Sequence, residues 1–372
     1  MTTLKLIILK TNITEALAAL ERAVSSNTNL PILKNILMRT ENGKIYFVAT
    51  NLEIAVTCLV QGKIIENGEV TVPFALFSSV ARNLTAERIT LEQKEKQLVI
   101  TTDNYDAAIQ TQEAKEFPII PAIHNRAQSI RLPAARFLEA LQSVIVATQY
   151  SEIRPEISGV FLRVSEGKLI FAATDSFRLA EKILDANEIG TEFEEVSFIV
   201  PFRTAEELAR FLGGAKNNVE IFIDPNQILF KIESRELISR LVDGTFPEYR
   251  AIIPKTCQNE AVIERNEFAN AIKLSSSFTG RTNDITVTVG ENKKYIDLHS
   301  ADPSLGENHY KIHVKMKGDA FSIAFNWRYL LDGLKVFSGK EITLGVNAAN
   351  RPAVLRSHED SQLTYVVMPI NS

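Results

Sequence analysis

The chain predicts an α+β protein of three similar domains, each with two helices packed on antiparallel sheets, and three observations carry that expectation. Gly43-Lys44-Ile45-Tyr46-Phe47-Val48-Ala49-Thr50 returns 124 residues later as Gly167-Lys168-Leu169-Ile170-Phe171-Ala172-Ala173-Thr174, with a fainter echo at Lys294-Tyr295-Ile296-Asp297-Leu298-His299-Ser300. Val72-Pro73, Val200-Pro201 and Phe325-Asn326 keep nearly the same period, and each opens a helical pattern. That period is a third of the 372 residues, which is domain-sized rather than solenoid-sized. Short apolar runs separated by tight-turn residues favour antiparallel pairing, with the helices covering one sheet face.

The elements follow in order. In the first repeat Ile13, Leu17, Leu20 and Val24 fall at helical spacing after Thr11-Asn12, either of which suits a helix cap. Phe77, Val80, Ala81 and Leu84 mark a second helix. The second repeat offers Phe137, Leu141 and Val144, then Ala205, Leu208, Phe211 and Leu212; the third offers Phe268 and Ile272, then Trp327, Leu330, Leu331 and Leu334. Strands are expected at Gln97-Leu98-Val99-Ile100 and Ile228-Leu229-Phe230-Lys231-Ile232, with turns at Glu41-Asn42-Gly43, Ser165-Glu166-Gly167 and Asp224-Pro225-Asn226. Phe117-Pro118-Ile119-Ile120-Pro121 and the stretch from Phe246-Pro247 to Pro254 read as stiff, extended joints, because proline fixes its own φ and restricts its predecessor. The expected domains are 1–122, 123–252 and 253–372.

Hydrophobic residues at 45% and charged residues at 23% describe ordinary globular material. No apolar run reaches spanning length, and the N-terminal segment reads as a first strand rather than a signal peptide, so the expectation is a cytoplasmic protein without a membrane partner. Cys58 and Cys257 sit in different repeats and read as free thiols. A net charge of −4 argues against a tight nucleic-acid binder held by phosphate neutralisation.

No catalytic constellation stands out, and the chain is read as a non-enzyme without cofactor or metal. Gly213-Gly214-Ala215-Lys216 lacks P-loop spacing and suits a helix-end turn. His309 and His313 lie in an alternating segment and read as solvated strand positions, and no histidine pair has zinc spacing on a helix face. Asp175 sits at a strand end, but its counterparts are Asn51 and Ala301, and no partner acid is evident.

More specific are Arg154-Pro155-Glu156-Ile157-Ser158-Gly159-Val160-Phe161-Leu162 and Ala173-Thr174-Asp175-Ser176-Phe177-Arg178-Leu179-Ala180. Leu30-Pro31-Ile32-Leu33-Lys34-Asn35-Ile36-Leu37, Leu241-Val242-Asp243-Gly244-Thr245-Phe246-Pro247-Glu248-Tyr249 and Tyr365-Val366-Val367-Met368-Pro369-Ile370 join them in order. Together, across the whole chain, these segments resemble bacterial DNA sliding clamps, the beta subunit of DNA polymerase III.

The resemblance implies three DNA-clamp domains per chain and a head-to-tail homodimer closed into a ring around duplex DNA. Such a processivity factor tethers the DNA polymerase III alpha subunit, and the clamp loader and other proteins with clamp-binding motifs are further partners. A second reading is a clamp paralogue that binds peptides without encircling DNA efficiently. A topological link also reconciles the acidic charge with DNA, since few non-specific phosphate contacts then suffice. Arg22, Arg82, Arg136, Arg203, Arg210, Lys273 and Lys335 are the candidate DNA-facing residues; Arg82 and Arg203 match basic positions of the family's DNA surface, whereas Asn27 stands where many clamps carry arginine.

Carried over residue by residue, the family's peptide-binding pocket falls on Ile157, Thr174, Ser176, Phe177, Arg178, Leu179, Pro247, Ile252, Pro352, Val366, Met368, Pro369 and Ile370. Apolar walls take aliphatic or aromatic anchors, Arg178 orients the peptide, and methionine adapts to different partners. Ala251 replaces an arginine of many clamps, and Asn371-Ser372 replaces a basic tail.

Ring closure is expected to use Asp103, Asp106, Ala107 and Ile109 around a first-domain strand at 107–112, against a third-domain strand carrying His309, Lys311, His313 and Lys315. Phe278 would supply an apolar contact. Many clamps place the basic edge on the first domain, so the charges here are inverted: acidic on domain one and basic on domain three.

Overall fold

A computed structural model describes residues 3–25 and 29–370, so Asn27 and Asn371-Ser372 lie outside the described residues. The chain packs as two compact units, one of Met1–Ala135 with Glu207–Leu241, the other of Arg136–Glu206 with Val242–Ser372. Among the described residues there are six α-helices: α1 (Lys10–Leu20), α2 (Phe74–Asn83), α3 (Ala134–Ile145), α4 (Phe202–Phe211), α5 (Arg265–Ser276) and α6 (Trp327–Val336). No helix among the described residues is long and apolar enough to cross a membrane.

The first unit holds a five-stranded antiparallel sheet in the order Gly62–Glu66, Lys5–Leu9, Arg88–Lys94, Gln97–Thr101, Asp106–Gln110. A second sheet runs Ile130–Pro133, Asn218–Asp224, Gln227–Ile232, Arg235–Arg240, Ile54–Val60, Lys44–Thr50, Asn35–Glu41, Glu69–Pro73. α1 packs on α2 and on Ile54–Val60, and Ile13, Leu17 and Leu20 of α1 and Phe77 and Ala81 of α2 are buried. Each such large side chain contributes roughly 1.5–3 kcal/mol by leaving water.

In the second unit a nine-stranded sheet runs Glu195–Pro201, Gly159–Ser165, Lys168–Thr174, Arg178–Leu184, Leu363–Val367, Ala353–Arg356, Glu341–Val346, Asn259–Glu264, Lys315–Lys317. A four-stranded sheet follows the order Gly306–His313, Tyr295–Asp302, Asp284–Val289, Phe321–Asn326. α5 and α6 pack together with Phe268, Ile272, Leu330 and Leu334 buried.

The repeat is reproduced in detail. Asn35–Glu41, Lys44–Thr50 and Ile54–Val60 return 124 residues on as Gly159–Ser165, Lys168–Thr174 and Arg178–Leu184. Both hairpins turn through two left-handed residues, Asn42 (φ 50°) and Gly43 (φ 72°) in one, Glu166 (φ 54°) and Gly167 (φ 73°) in the other. That geometry matches the right-handed strand twist.

The joints are more than proline-stiffened linkers, because sheets run through them. Arg235–Arg240 pairs with Ile54–Val60, and Arg178–Leu184 pairs with Leu363–Val367. Strands of the expected second domain are therefore shared between the two units.

Two local expectations are corrected. Neither Thr11 nor Asn12 caps α1; the helix starts at Lys10, straight out of the strand Lys5–Leu9, with extended Leu9 at the cap position and no side-chain cap. Val24 falls beyond the helix, which ends at Leu20. Asn326 does cap α6, accepting from the Arg328 N–H at 3.0 Å.

Candidate functional site

Strand pairing in the second unit explains how residues remote in sequence meet. Arg178 lies opposite Val367 and Leu179 opposite Val366, and the Met368 N–H then donates to the Phe177 carbonyl at 2.8 Å. A cavity of about 640 Å³ opens beside this seam.

One wall is the turn Thr174-Asp175-Ser176-Phe177-Arg178. Asp175 Oδ1 accepts from the backbone N–H groups of Phe177 (2.9 Å) and Arg178 (3.0 Å), and Thr174 Oγ1 donates to the Arg178 carbonyl at 2.7 Å. These bonds hold Ser176 at φ 78°. The first repeat builds the same turn from Thr50, Asn51 and Leu52 (φ 74°), with Asn51 Oδ1 accepting from Glu53 and Ile54. Asp175 thus shapes the loop through one oxygen and binds an arginine through the other, since its Oδ2 accepts from Arg178 Nε at 2.9 Å.

Arg178 also donates through a terminal guanidinium nitrogen to Asp332 Oδ2 on α6 at 2.7 Å and lies over the Tyr329 ring at 4.6 Å. Burial opposes its charge, but Asp175 and Asp332 help to outweigh that and raise its pKa above the ordinary arginine value. Much of its hydrogen-bonding capacity is therefore committed to holding strand and helix together.

The opposite wall is the joint segment. Phe161 stacks on Phe246 at 4.8 Å, and Tyr249 meets both edge-on. The Tyr249 hydroxyl donates to Glu181 Oε2 at 2.6 Å; burial first, then Glu181, push this phenol well above its usual pKa. The aromatic cluster seats the turn Arg250–Ile252, leaving Ile252 half exposed at the rim.

Ten of the thirteen expected pocket residues line the cavity: Ile157, Thr174, Ser176, Arg178, Leu179, Pro247, Ile252, Pro352, Val366 and Met368. Phe177, Pro369 and Ile370 do not. Phe177 is exposed and stacks on Tyr329 at 6.4 Å, and the Ile370 N–H donates to Ala324. The structure adds Arg154, Tyr249, Pro254, Asn347, Asn350 and Arg351, and Ala251 also lines the cavity. The Asn347–Pro352 stretch carries turn chemistry between two strands, a signal that is present in the sequence.

The basic candidates are mostly ion-paired. Arg82 contacts Glu21 at 2.9 Å, Arg210 pairs with Glu207, and Lys335 contacts Asp332 at 2.9 Å. Arg136 binds Glu188 and Glu139 and also donates to Gln362 at 3.2 Å. Arg203 lies over the Tyr150 ring at 4.8 Å. Arg22 is exposed just beyond α1, and Lys273 is exposed on α5.

Both expected closure strands lie at sheet edges, though their bounds change. The first-domain strand is Asp106–Gln110, and Gln112 instead forms a bridge with Thr71. Asp103 precedes the strand in an exposed turn, Ala107 is half-buried, and Ile109 is buried in its own unit. The third-domain strand Gly306–His313 carries Lys311 opposite Asp297, and Phe278 sits beside Gly306. Lys315 is a correction: the chain leaves that sheet, and Lys315–Lys317 pairs with Asn259–Glu264 at the edge of the nine-stranded sheet.

Three domains sharing a two-helix plan, with a pocket where the second-repeat turn, the joint and the last strand converge, define a DNA-clamp type of protein. Family models for the DNA polymerase III beta subunit match in succession, the N-terminal domain over residues 4–121, the central domain over 131–248 and the C-terminal domain over 250–371. The chain belongs to the DNA polymerase III beta subunit family. The beta sliding clamp of Bacillus subtilis (strain 168) is 26% identical over 381 residues, spanning 99% of this chain and 100% of the relative. That of Synechococcus elongatus is 26% identical over 373 residues, spanning 99% of each. The crystal structure of the Bacillus subtilis DNA polymerase sliding clamp superposes with a TM-score of 0.93 at 25% identity, covering 100% of both chains.

Proposed function

We propose that this chain acts as a DNA sliding clamp: two copies close head to tail around duplex DNA and tether a replicative polymerase through the pocket beside Met368. The observation that carries this reading is the joining of pocket and seam, because the pairing of Arg178–Leu184 with Leu363–Val367 that holds the joint also delivers Met368 to an apolar cavity. A groove with aliphatic walls and a few polar groups suits a short peptide with apolar anchors. The DNA polymerase III alpha subunit, the clamp loader and other bearers of such a peptide are the partners this implies, in the cytoplasm and without a catalytic step.

Encirclement removes the need for strong phosphate contacts. Arginines and lysines already paired with acids offer phosphates only weak, exchangeable contacts, which suits a protein that must move along DNA rather than grip it. Ring closure is assigned to the edge strands Asp106–Gln110 and Gly306–His313, whose unpaired backbone groups need a partner.

The test is retention on DNA. The protein is loaded onto nicked circular DNA by a clamp loader, and the complex is filtered before and after linearisation. Retention on circles and loss from linear DNA are expected. Retention that survives linearisation contradicts the topological link. Charge removal at Arg82 and Arg203 together should reduce loading while changing stability by less than about 0.5 kcal/mol each.

A further inference from the structure

On the solvent face of the four-stranded sheet, His299 and His309 stand directly opposite each other in neighbouring strands, and Glu307 lies one rung away on the same face. The imidazole rings stack at 4.5 Å. Glu307 Oε1 lies 2.9 Å from His299 Nε2 and 3.1 Å from His309 Nε2. All three ligand atoms fall within 4.8 Å of one another. Ligand atoms on a tetrahedral zinc ion, at about 2.0–2.2 Å each, are separated by about 3.3 Å. The two histidine–carboxylate distances already approach that spacing.

A second contact points the same way. Asp297, on the next rung, places its carboxylate 3.2 and 3.3 Å from His309 Nδ1. A metal-binding histidine commonly donates its other ring N–H to a carboxylate, which fixes the tautomer and leaves the facing nitrogen bare. Asp297 is placed to accept such a bond from His309 Nδ1, while His309 Nε2 faces Glu307.

We propose that His299, His309 and Glu307 form a divalent metal site of two imidazoles and one carboxylate, suited to Zn²⁺, with Asp297 as the positioning residue behind His309. Mixed nitrogen and oxygen donors favour zinc over magnesium or calcium, and three protein ligands leave a fourth position open to water. The bound ion would cross-link Tyr295–Asp302 to the edge strand Gly306–His313 through side chains on the sheet face. The outward backbone edge stays free, so the site does not depend on DNA binding or on ring closure.

The experiment is calorimetric titration of the metal-stripped full chain with zinc chloride, paired with thermal melting. One equivalent per chain is expected, together with a rise in melting temperature, because the ion binds the folded state. His299→Ala and His309→Ala should each weaken binding at least tenfold, and Asp297→Asn about tenfold. His313→Ala, on the same strand but outside the cluster, should leave binding unchanged. Melting without zinc shows whether each variant is folded, and Glu307→Gln supplies a conservative alternative to the alanine changes. Absence of saturable binding by the parent chain overturns the site, as does unchanged affinity in both His299→Ala and His309→Ala.

Discussion

Lys182 Nζ lies 2.8 Å from each carboxylate oxygen of Asp360, and the lysine is only 1% exposed. One residue belongs to the second repeat and the other precedes the last strand, so a buried charge pair locks the seam beside the pocket. Glu139 stands 3.6 Å from the same ammonium, but it is half exposed and a weaker counter-charge. Asp360→Ala should therefore cost about 3 kcal/mol, at the low end for an orphaned buried charge. The double variant Lys182→Met, Asp360→Leu should recover most of that loss. Urea unfolding of the three proteins decides it, and a loss below about 1 kcal/mol for Asp360→Ala rejects the view that this pair holds the seam.

Asp175 and Asn51 shape the same turn, but only Asp175 also holds an arginine. Asp175→Asn should keep the turn and lose the ion pair, at about 1–2 kcal/mol, whereas Asp175→Ala should lose about 1 kcal/mol more by abandoning two backbone N–H groups. Equal losses in both variants, measured by urea unfolding, would mean that the turn hydrogen bonds contribute nothing.

Met368 supplies an adaptable apolar wall to the cavity. Met368→Ala should weaken binding of a fluorescent peptide with a glutamine and two apolar anchors by about 1–2 kcal/mol. Phe177 is exposed outside the cavity lining, so Phe177→Ala should cost less. Unchanged anisotropy titrations for Met368→Ala remove this pocket as the docking site.

The edge strands make a separable prediction about the proposed dimer. Lys311→Glu should weaken association, and Asp106→Lys in the same chain should partly restore it if opposite charges align the two edges. Zero coupling in a sedimentation double-mutant cycle discards the pairing.

Alkaline pH should loosen the fold. The Cys58 thiol is pushed up from 9.0 to about 12 by burial, and Arg235 only partly offsets this. The unfolded chain gives up that proton first, so the contribution is intact below about pH 9 and drains away as pH rises toward 12. Buried Tyr249 and Tyr365 shift in the same direction. Melting temperature should fall steadily above pH 9, and Cys58→Val should flatten the first part of the fall. An identical slope in the variant refutes the assignment to Cys58.

Repeated hairpins are legible in the sequence because strand, turn and strand are contiguous: the Gly43 and Gly167 segments carry the pattern and the left-handed turn within a few residues. Met368 and Arg178 come together only through family resemblance; no local pattern announces a pairing between residues 178–182 and 363–367. The start of α1 is hidden because nothing in Lys10 or Leu9 signals a strand running directly into a helix, while Thr11 and Asn12 imitate a cap. His299 and His309 look unrelated at a separation of ten residues; only the register of their hairpin sets them face to face. Lys315 reads as part of the preceding strand because alternation continues through residue 314, although the chain changes sheets there.

A partner docked at Met368, as proposed, would hang from the end of the strand Leu363–Val367, not from the tip of a loop. Traction passed into Leu363–Val367 along the strand would load its backbone hydrogen bonds with Arg178–Leu184 in shear instead of opening them one after another like a zipper. The proposed attachment point would then lie where the fold resists traction along its length.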